Sequence, residues 1–191
     1  MNTLTRIERF IAAGLALTNV TEQGGNNHGQ MVELFLHGVG LPAGAPWCAA
    51  FVHHVGHWSQ FDPIRLTSAW PLPATGACQV LGDFAAQHKA LVNRPLPGDV
   101  FLLYLPTLNR FAHTGIVLDV RETPSAFLCT TIEGNTTDDG GRDGWKSALK
   151  RRLLGRTDGH AFIRWTALVG AVPATAAPAG TVALRPRGRA A

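Results

Sequence analysis

The chain has 191 residues, a length that suits one domain, or one domain followed by a tail. Hydrophobic residues make up 46% and charged residues 16%, so the composition excludes a chain that is mainly disordered. The net charge of +4 favours an acidic partner but does not distinguish nucleic acid, anionic membrane and anionic cell-wall polymer. Three cysteines exclude a disulfide framework and indicate synthesis in a reducing cytosol.

The N-terminal half of the chain is predicted to be mainly helical. Apolar residues recur at helical spacing over residues 5–17, which predicts an amphipathic first helix. Further helices are predicted over residues 29–38, 47–58 and 78–91, and a loop is predicted over residues 61–76. No apolar stretch is long enough to span a membrane, so we expect no membrane insertion.

The first helix also bears on where the protein is made. Arg6 and Arg9 precede an apolar run from residue 10 to residue 17, as basic residues do in a secretory signal peptide. Glu8 lies beside this run, however, and no small-residue cleavage site follows it. We therefore expect a protein made in the cytoplasm without a clear signal peptide.

The second half of the chain changes to the pattern of strands. Strands are predicted over residues 99–105, 113–120, 126–133 and 161–166, and residues 146–154 fit either a strand or a helix. Helices followed by strands predict an α+β domain with an antiparallel sheet.

The end of the chain differs in composition from the rest. From about Pro173 the sequence is rich in Ala, Pro, Thr and Arg, which leaves little to bury in a core. We therefore predict one domain over residues 1–172 and a low-complexity basic tail over residues 173–191. A second basic cluster lies at residues 146–156.

Cys48 is the candidate nucleophile. Pro46 precedes a helical run, which predicts that Cys48 falls in the first turn of the helix. There the sulfur faces unpaired backbone N–H groups and the positive end of the helix dipole, and both favour the reactive thiolate. Taken alone, the segment equally fits a small buried apolar cysteine.

A candidate base comes from the predicted strands. If the two central strands form a hairpin, Val120 lies opposite Ala126, and His113 lies directly opposite Glu133. A carboxylate beside an imidazole fixes the tautomer of the ring and stabilises its charged form, as the third member of a catalytic triad does. A β-bulge would break this register, and a solvated His–Glu pair at a strand end is the simpler alternative.

Four short motifs link these candidates. In chain order they are Pro46-Trp-Cys-Ala-Ala-Phe-Val, Pro97-Gly-Asp-Val, Ala112-His-Thr-Gly-Ile-Val and Ile132-Glu-Gly-Asn-Thr. Together they resemble the CHAP family, the cysteine, histidine-dependent amidohydrolases/peptidases related to the papain-like NlpC-type cell-wall peptidases. The resemblance covers residues 22–152. It implies a papain-like α+β fold, with N-terminal helices and a nucleophile at a helix start packed on a C-terminal antiparallel sheet.

The resemblance also implies a reaction and its residues. The reaction is hydrolysis of an amide bond in peptidoglycan, by an N-acetylmuramoyl-L-alanine amidase or by an endopeptidase of the stem or cross-bridge. Matched residue by residue, Cys48 is the nucleophile, His113 the base, and Glu133 and Asn135 the two polar positions that follow. We expect Glu133 to orient His113 and Asn135 to line the site, although Asn135 could orient the ring if the chain bends at Gly134.

Three residues are candidates for substrate binding. Trp47 and Trp70 could form the walls of a groove for a glycan or a peptide, and packing in the core explains them equally well. Asn27 lies in the loop before the nucleophile and is a candidate for the second donor to the oxyanion. The other two cysteines, Cys78 and Cys129, are expected to be buried thiols.

No metal and no cofactor are expected. His53, His54 and His57 lie on a predicted helix, but the sequence lacks the Glu of a zinc protease and an evident third ligand. Some members of the resembled family bind calcium through aspartates ahead of the cysteine, where this chain has Asn26-Asn27-His28. A plain turn explains the spacing of three later aspartates better than a cation site does: Asp138, Asp139 and Asp143.

Several classes of protein remain open at this point. A peptidoglycan hydrolase of this kind acts on the cell wall, as a phage or prophage lysin or as an injected antibacterial toxin with an immunity protein as its partner. Two alternatives are a papain-like deamidase or acyltransferase that acts on protein or lipid, and a non-catalytic basic binding module. A pure binder does not need a Cys–His–Glu set, so we expect peptidoglycan and not nucleic acid as the partner.

Overall fold

The helices of the protein occupy the first half of the chain. The computed structural model describes residues 5–138 and 144–170 and the backbone of Thr175–Ala176. This part contains four α-helices: α1 (Arg6–Ala16), α2 (Gln30–Gly38), α3 (Cys48–Ser59) and α4 (Cys78–Gln87). The four predicted helices are confirmed, and the last is shorter than predicted because a strand begins at Leu91. None of these helices is both long and apolar enough to cross a membrane.

The first helix begins with a complete capping box. The Thr5 hydroxyl accepts a hydrogen bond from the Glu8 N–H at 3.2 Å, and the Glu8 carboxylate accepts one from the Thr5 N–H at 2.7 Å. Phe10 and Gly14 are buried, and a Cβ atom on Gly14 would lie 3.1 Å from Ile116 in the sheet. The run that resembles a signal peptide therefore forms an amphipathic helix packed against the sheet.

A short antiparallel pair lies where the sequence predicts only a loop. Strands β1 (Phe61–Asp62) and β2 (Thr67–Ser68) pair with each other between α3 and α4. The Asp62 carboxylate accepts hydrogen bonds from the N–H groups of Ile64 and Arg65 at 2.9 and 3.2 Å. These bonds close the turn between the two strands.

Six further strands form the main sheet: β3 (Leu91–Val92), β4 (Val100–Leu105), β5 (Arg110–Glu122), β6 (Ala126–Thr136), β7 (Lys146–Gly155) and β8 (Ala161–Ile163). All neighbours pair antiparallel, in the order β3-β8-β4-β5-β6-β7. The segment 146–154, which fits a strand or a helix in the sequence, is therefore a strand. The predicted α+β architecture with an antiparallel sheet is confirmed.

The predicted tail contributes one short strand. Strand β9 (Thr175–Ala176) pairs antiparallel with β2 and makes the small sheet three-stranded. The rest of the predicted tail, residues 173–174 and 177–191, lies outside the described residues. At least two residues beyond the predicted boundary at 172 therefore pair with the domain.

The β5–β6 hairpin has a different register from the predicted one. Val120 lies opposite Cys129 and not opposite Ala126. The turn between the strands causes this difference in register. The Thr123 N–H donates to the Ala126 carbonyl at 2.9 Å, so the strand pairing begins with Glu122 opposite Phe127. Pro124 lies inside this turn, where its fixed φ is favourable.

A bulge at Leu118 shifts the hairpin register again nearer the centre of the sheet. Beyond this bulge, Ile116 lies opposite Ile132. The prediction that Glu133 lies directly opposite His113 is therefore wrong, because turn and bulge together move β6 by two residues relative to β5 at this point.

The core lies on both faces of the central strands. Ile116 and Ile132 belong to the larger cluster between the helices and the sheet. Val117 on β5 and Cys129 on β6 point to the opposite face of the sheet and belong to a smaller cluster there. The central parts of β5 and β6 are therefore buried on both faces. Their side chains are shielded from water on either face of the sheet.

Candidate active site

Cys48 is the first residue of helix α3. Its side chain is 4% exposed, and no side chain caps this helix start. A hydrogen bond with Cys78 lowers the pKa of the Cys48 thiol well below its ordinary value, against the opposing effect of burial. His113 and the Ala49 N–H lower this pKa further. The prediction that Cys48 lies at a helix start is therefore confirmed. The surroundings of its sulfur favour the thiolate.

A second cysteine lies beside the candidate nucleophile. The Sγ atoms of Cys48 and Cys78 are 3.7 Å apart, and Cys78 is the first residue of helix α4. The contact with Cys48, and then burial, raise the pKa of Cys78 well above its ordinary value. Because the pKa of Cys48 is lowered and that of Cys78 is raised, Cys78 keeps its proton and is the donor in this pair. The sequence indicates only a buried thiol here, because nothing in it relates the starts of two separate helices.

His113 is fully buried on β5 between Cys48 and Glu133. Its Nε2 atom lies 2.8 Å from Oε2 of Glu133, while Nδ1 makes no hydrogen bond to any described residue. Burial acts to lower the pKa of His113, but the contacts with Cys48 and Glu133 outweigh it and raise this pKa to about 9. With Nε2 bound to the carboxylate, Nδ1 is the nitrogen that can exchange a proton with Cys48.

Glu133 is held from its other side by an arginine. The Arg152 Nε and Nη2 atoms lie 2.5 Å from the two carboxylate oxygens of Glu133, in a bidentate pair. The Thr131 hydroxyl donates to Oε1 at 2.6 Å. Burial acts to raise the pKa of Glu133, but the bonds from Arg152 and His113 lower it to about 2. The carboxylate is therefore ionised, so it accepts a hydrogen bond from the Nε2–H group of His113.

Sequence reasoning missed the role of Arg152. In the sequence this residue is one member of the basic cluster at 146–156. The strand pairing that places it near Glu133 involves a segment that fits a helix equally well. Three other members of the cluster make contacts within the protein, since Lys146 binds Asp138, Lys150 binds two carbonyls and Arg156 binds Glu122.

Gly115 provides the space through which Glu133 reaches His113. A Cβ atom at Gly115 would lie 2.9 Å from Cγ of Glu133, 2.6 Å from the Ile132 carbonyl oxygen and 2.7 Å from the Phe101 ring. No other residue fits there without moving the backbone of β6. The glycine of the Ala112-His-Thr-Gly motif therefore has a packing role beside the candidate site.

Asn135 and Asn27 bind each other and do not bind His113. The Asn135 side chain donates to Oδ1 of Asn27 at 3.0 Å and accepts from the Gly144 N–H at 2.9 Å. The Asn27 side chain donates to the Gly44 carbonyl at 3.2 Å. Both residues are buried and have positive φ. Asn135, expected to line the site, and Asn27, a candidate for the second oxyanion donor, therefore tie together the loops around Cys48 and His113.

The two tryptophans expected as groove walls lie in the core. Trp47 is 0% exposed and donates from Nε1 to the Glu22 carboxylate at 2.9 Å. Trp70 is 1% exposed and packs against Phe10 and Trp165, with ring centroids 4.9 and 5.0 Å away. Large aromatic rings fill core volume efficiently, and here that need accounts for both residues.

Within the described residues, the histidines of α3 have no third ligand with which to hold a metal ion. His53 and His57 are buried, and burial lowers the pKa of His53 to about 4, with the same effect on His54. Among the described residues, no group of three histidine, cysteine or acidic side chains is arranged to hold an ion. Of the three aspartates weighed as a cation site, Asp138 is described, and Asp139 and Asp143 lie outside the described residues.

A cleft of about 420 Å³ leads to the two thiols. Cys48 and Cys78 lie in its lining, with Arg110 as its one charged side chain among the described residues. Two larger grooves of about 580 and 740 Å³ lie elsewhere and contain no cysteine, so volume alone does not identify the site. Access to a nucleophile distinguishes this cleft.

Comparison with known proteins finds no relative of this chain. No protein-family model, no curated protein and no solved structure matches the chain.

Proposed function

We propose that the protein is a papain-like cysteine hydrolase that cleaves an amide bond in peptidoglycan. One observation carries the catalytic part of this proposal: the buried His113 ring binds Glu133 through Nε2 at 2.8 Å and leaves Nδ1 for Cys48. Cys48, His113 and Glu133 could each be explained by packing alone. Together they correspond to a nucleophile, a base and an acid that orients the base.

The first half of the reaction forms a thioester. The Cys48 thiolate attacks the amide carbonyl while His113 holds the proton on Nδ1. The tetrahedral intermediate then collapses, the bond from carbon to nitrogen breaks, and the leaving amine takes this proton. Throughout, Glu133 holds the ring through Nε2.

The second half of the reaction releases the acid product. Neutral His113 removes a proton from water, and the resulting hydroxide attacks the thioester carbonyl. The bond from carbon to sulfur then breaks and restores the Cys48 thiolate. In both halves an oxyanion forms next to the start of α3, where the backbone N–H groups lack helical acceptors.

The substrate part of the proposal comes from the resemblance of the four motifs to the CHAP family. The chemistry of the site fits an amide substrate, because a thiolate with a proton donor at the leaving group is suited to acyl transfer from nitrogen. The alternative of a basic binding module has less support, since Lys146, Lys150, Arg152 and Arg156 contact acceptors within the protein.

Digestion of purified sacculi tests the proposal. The wild-type protein is expected to release soluble fragments, and their masses identify the bond that is cut. Cys48→Ala is expected to abolish release while keeping the circular dichroism spectrum and the unfolding midpoint. Cys129→Ala is the matched control, because this buried thiol belongs to the smaller core cluster and does not line the cleft at Cys48. Release of fragments by folded Cys48→Ala protein would refute the proposal.

A further inference from the structure

The cleft at Cys48 contains an arginine that the proposed reaction does not use. Arg110 is the first residue of β5, three residues before His113, and it is exposed at the lining of the cleft. It is the one charged side chain among the described residues that line this cleft. A strand advances about 3.3 Å per residue, so the guanidinium lies within reach of a substrate bound at the thiols.

No carboxylate of the described residues neutralises Arg110. Its guanidinium donates to the Phe111 carbonyl at 3.4 Å, and none of the ion pairs in the described part of the chain includes it. Arg110 and Cys78 line the same cleft, and the Arg110 charge accordingly opposes the contact with Cys48 and the burial that raise the pKa of Cys78. A guanidinium binds planar anions through two parallel hydrogen bonds, so a carboxylate is its best-matched ligand.

Many of the residues that line the cleft have small side chains. These residues come from the loops before α3 and α4 and from β5, and they are Ala45, Ala74, Gly76, Ala77 and Ala112. Val39 and Leu41, which follow α2, add two larger apolar side chains. At Gly76 a Cβ atom would lie 2.2 Å from the Leu41 side chain. The loop before α4 therefore packs directly against Leu41, which also lines the cleft. Such a cleft accommodates a methyl-sized substituent beside the reacting carbonyl.

We propose that Arg110 binds a substrate carboxylate, and that the substrate is a peptide in which a small residue such as alanine adjoins an acidic residue. The assignment rests on the proposed function, because a peptidoglycan stem presents alanine followed by isoglutamate with a free carboxylate. It goes further by naming the part of the stem that the cleft recognises and the residue that recognises it.

Binding to inactive protein tests the proposal without relying on turnover. The probes are a muramoyl dipeptide that ends in D-isoglutamate with its γ-carboxyl group capped as a methylamide, and the same capped compound with D-isoglutamine, in which an amide replaces the remaining α-carboxylate. Calorimetry on the Cys48→Ala protein is expected to show the acid binding about ten- to a hundred-fold more tightly than the amide, the range expected for a charge-assisted hydrogen bond.

Variants at Arg110 then assign this preference to one side chain. Arg110→Ala is expected to weaken binding of the acid to the level of the amide and to leave binding of the amide unchanged. Arg110→Lys is expected to keep part of the preference, since an ammonium group retains the charge but not the fork of donors. Arg121→Ala is the control, because this exposed arginine lies near the other end of the same strand.

The outcomes separate this inference from the proposed function. An unchanged preference in Arg110→Ala, equal binding of acid and amide, or no binding of either would overturn the assignment of Arg110. Failure of the wild-type protein to digest sacculi would instead overturn the proposed function. A preference that depends on Arg110 in a protein that digests nothing would keep the carboxylate site and remove the peptidoglycan reaction.

Discussion

His113 and Glu133 are bonded at 2.8 Å although they are not opposite each other in the sheet. Glu133 reaches His113 diagonally, across the position where Gly115 has no side chain. Cross-strand diagonal neighbours lie within the reach of long side chains, and a glutamate is long enough to use that reach. The acid that orients the ring is thus supplied by a diagonal contact that depends on the glycine beside it.

Glu133→Gln is expected to reduce kcat/KM by about ten- to a thousand-fold, the range expected when general-base catalysis is impaired but not removed. The amide still contacts the ring but stabilises its charged form less well. The measurement is turnover of a soluble muropeptide by protein whose fold is checked by circular dichroism. Glu122→Gln is the matched control, because Glu122 pairs with Arg94 and Arg156 at the surface. Equal activities of the two variants would contradict the orienting role.

The pH dependence of the reaction follows from two shifted groups. The pKa of Cys48 is lowered well below its ordinary value, and that of His113 is raised to about 9. The thiolate and the imidazolium therefore coexist at neutral pH. We expect kcat/KM to be level through neutral pH and to fall as pH rises through about 9, because His113 then loses the proton that the leaving amine needs. A decline centred near 6.5, the ordinary value for histidine, would contradict the shift of His113.

Cys78 is expected to control the reactivity of Cys48. Cys78→Ala removes the thiol that lies 3.7 Å from the Cys48 sulfur, so alkylation of Cys48 by iodoacetamide at pH 7 should slow by about ten-fold. Cys78→Ser keeps a donor and should restore most of the rate. Cys129→Ala should leave the rate unchanged. If Cys78→Ser behaves like Cys78→Ala, the effect is one of packing and not of hydrogen bonding.

Asn135→Ala is expected to destabilise the protein more than it slows the reaction. The substitution removes the bonds to Asn27 and Gly144 and leaves a residue at φ 54° without an amide side chain, which should cost about 2 kcal/mol. Urea denaturation measures this loss. Asn19→Ala is the control, because Asn19 is exposed and has φ 73°. A fall in kcat/KM larger than that of Glu133→Gln, in folded protein, would give Asn135 a direct role in orienting His113.

Removal of metal ions is expected to leave the activity unchanged. The proposed steps use a thiolate, an imidazole and a carboxylate, and each proton in them moves between named atoms. The measurement is sacculus digestion with and without EDTA. Activity that is lost with EDTA and restored by calcium or zinc would mean that the reaction depends on an ion.

Local features of the chain were predictable, while tertiary ones were not. The starts of α1 and α3 follow from Thr5 and Glu8 and from Pro46, whose effects are confined to a single helical turn. The hairpin register depends on where the turn closes and on a bulge at Leu118, and no alternation of residue types reveals that bulge.

The candidate site shows the same division. Cys48, His113 and Glu133 lie in motifs, so the sequence identifies them. Cys78 and Arg152 come near them only through the packing of α4 and the pairing of β7 with β6. Trp47 is ambiguous for another reason, because a large aromatic ring fits a groove wall and a core equally well until the surrounding helices are known.

Cys48, His113, Glu133 and the half-buried Arg152 form a row whose charges alternate in sign: thiolate, imidazolium, carboxylate and guanidinium. The four charges cancel in the resting protein. They cancel again in the tetrahedral intermediate, where the oxyanion replaces the thiolate, and in the thioester, where Cys48 and His113 are both neutral. Every stage of the proposed reaction on an uncharged amide therefore has the same net charge, and the protein interior never has to solvate an unbalanced ion.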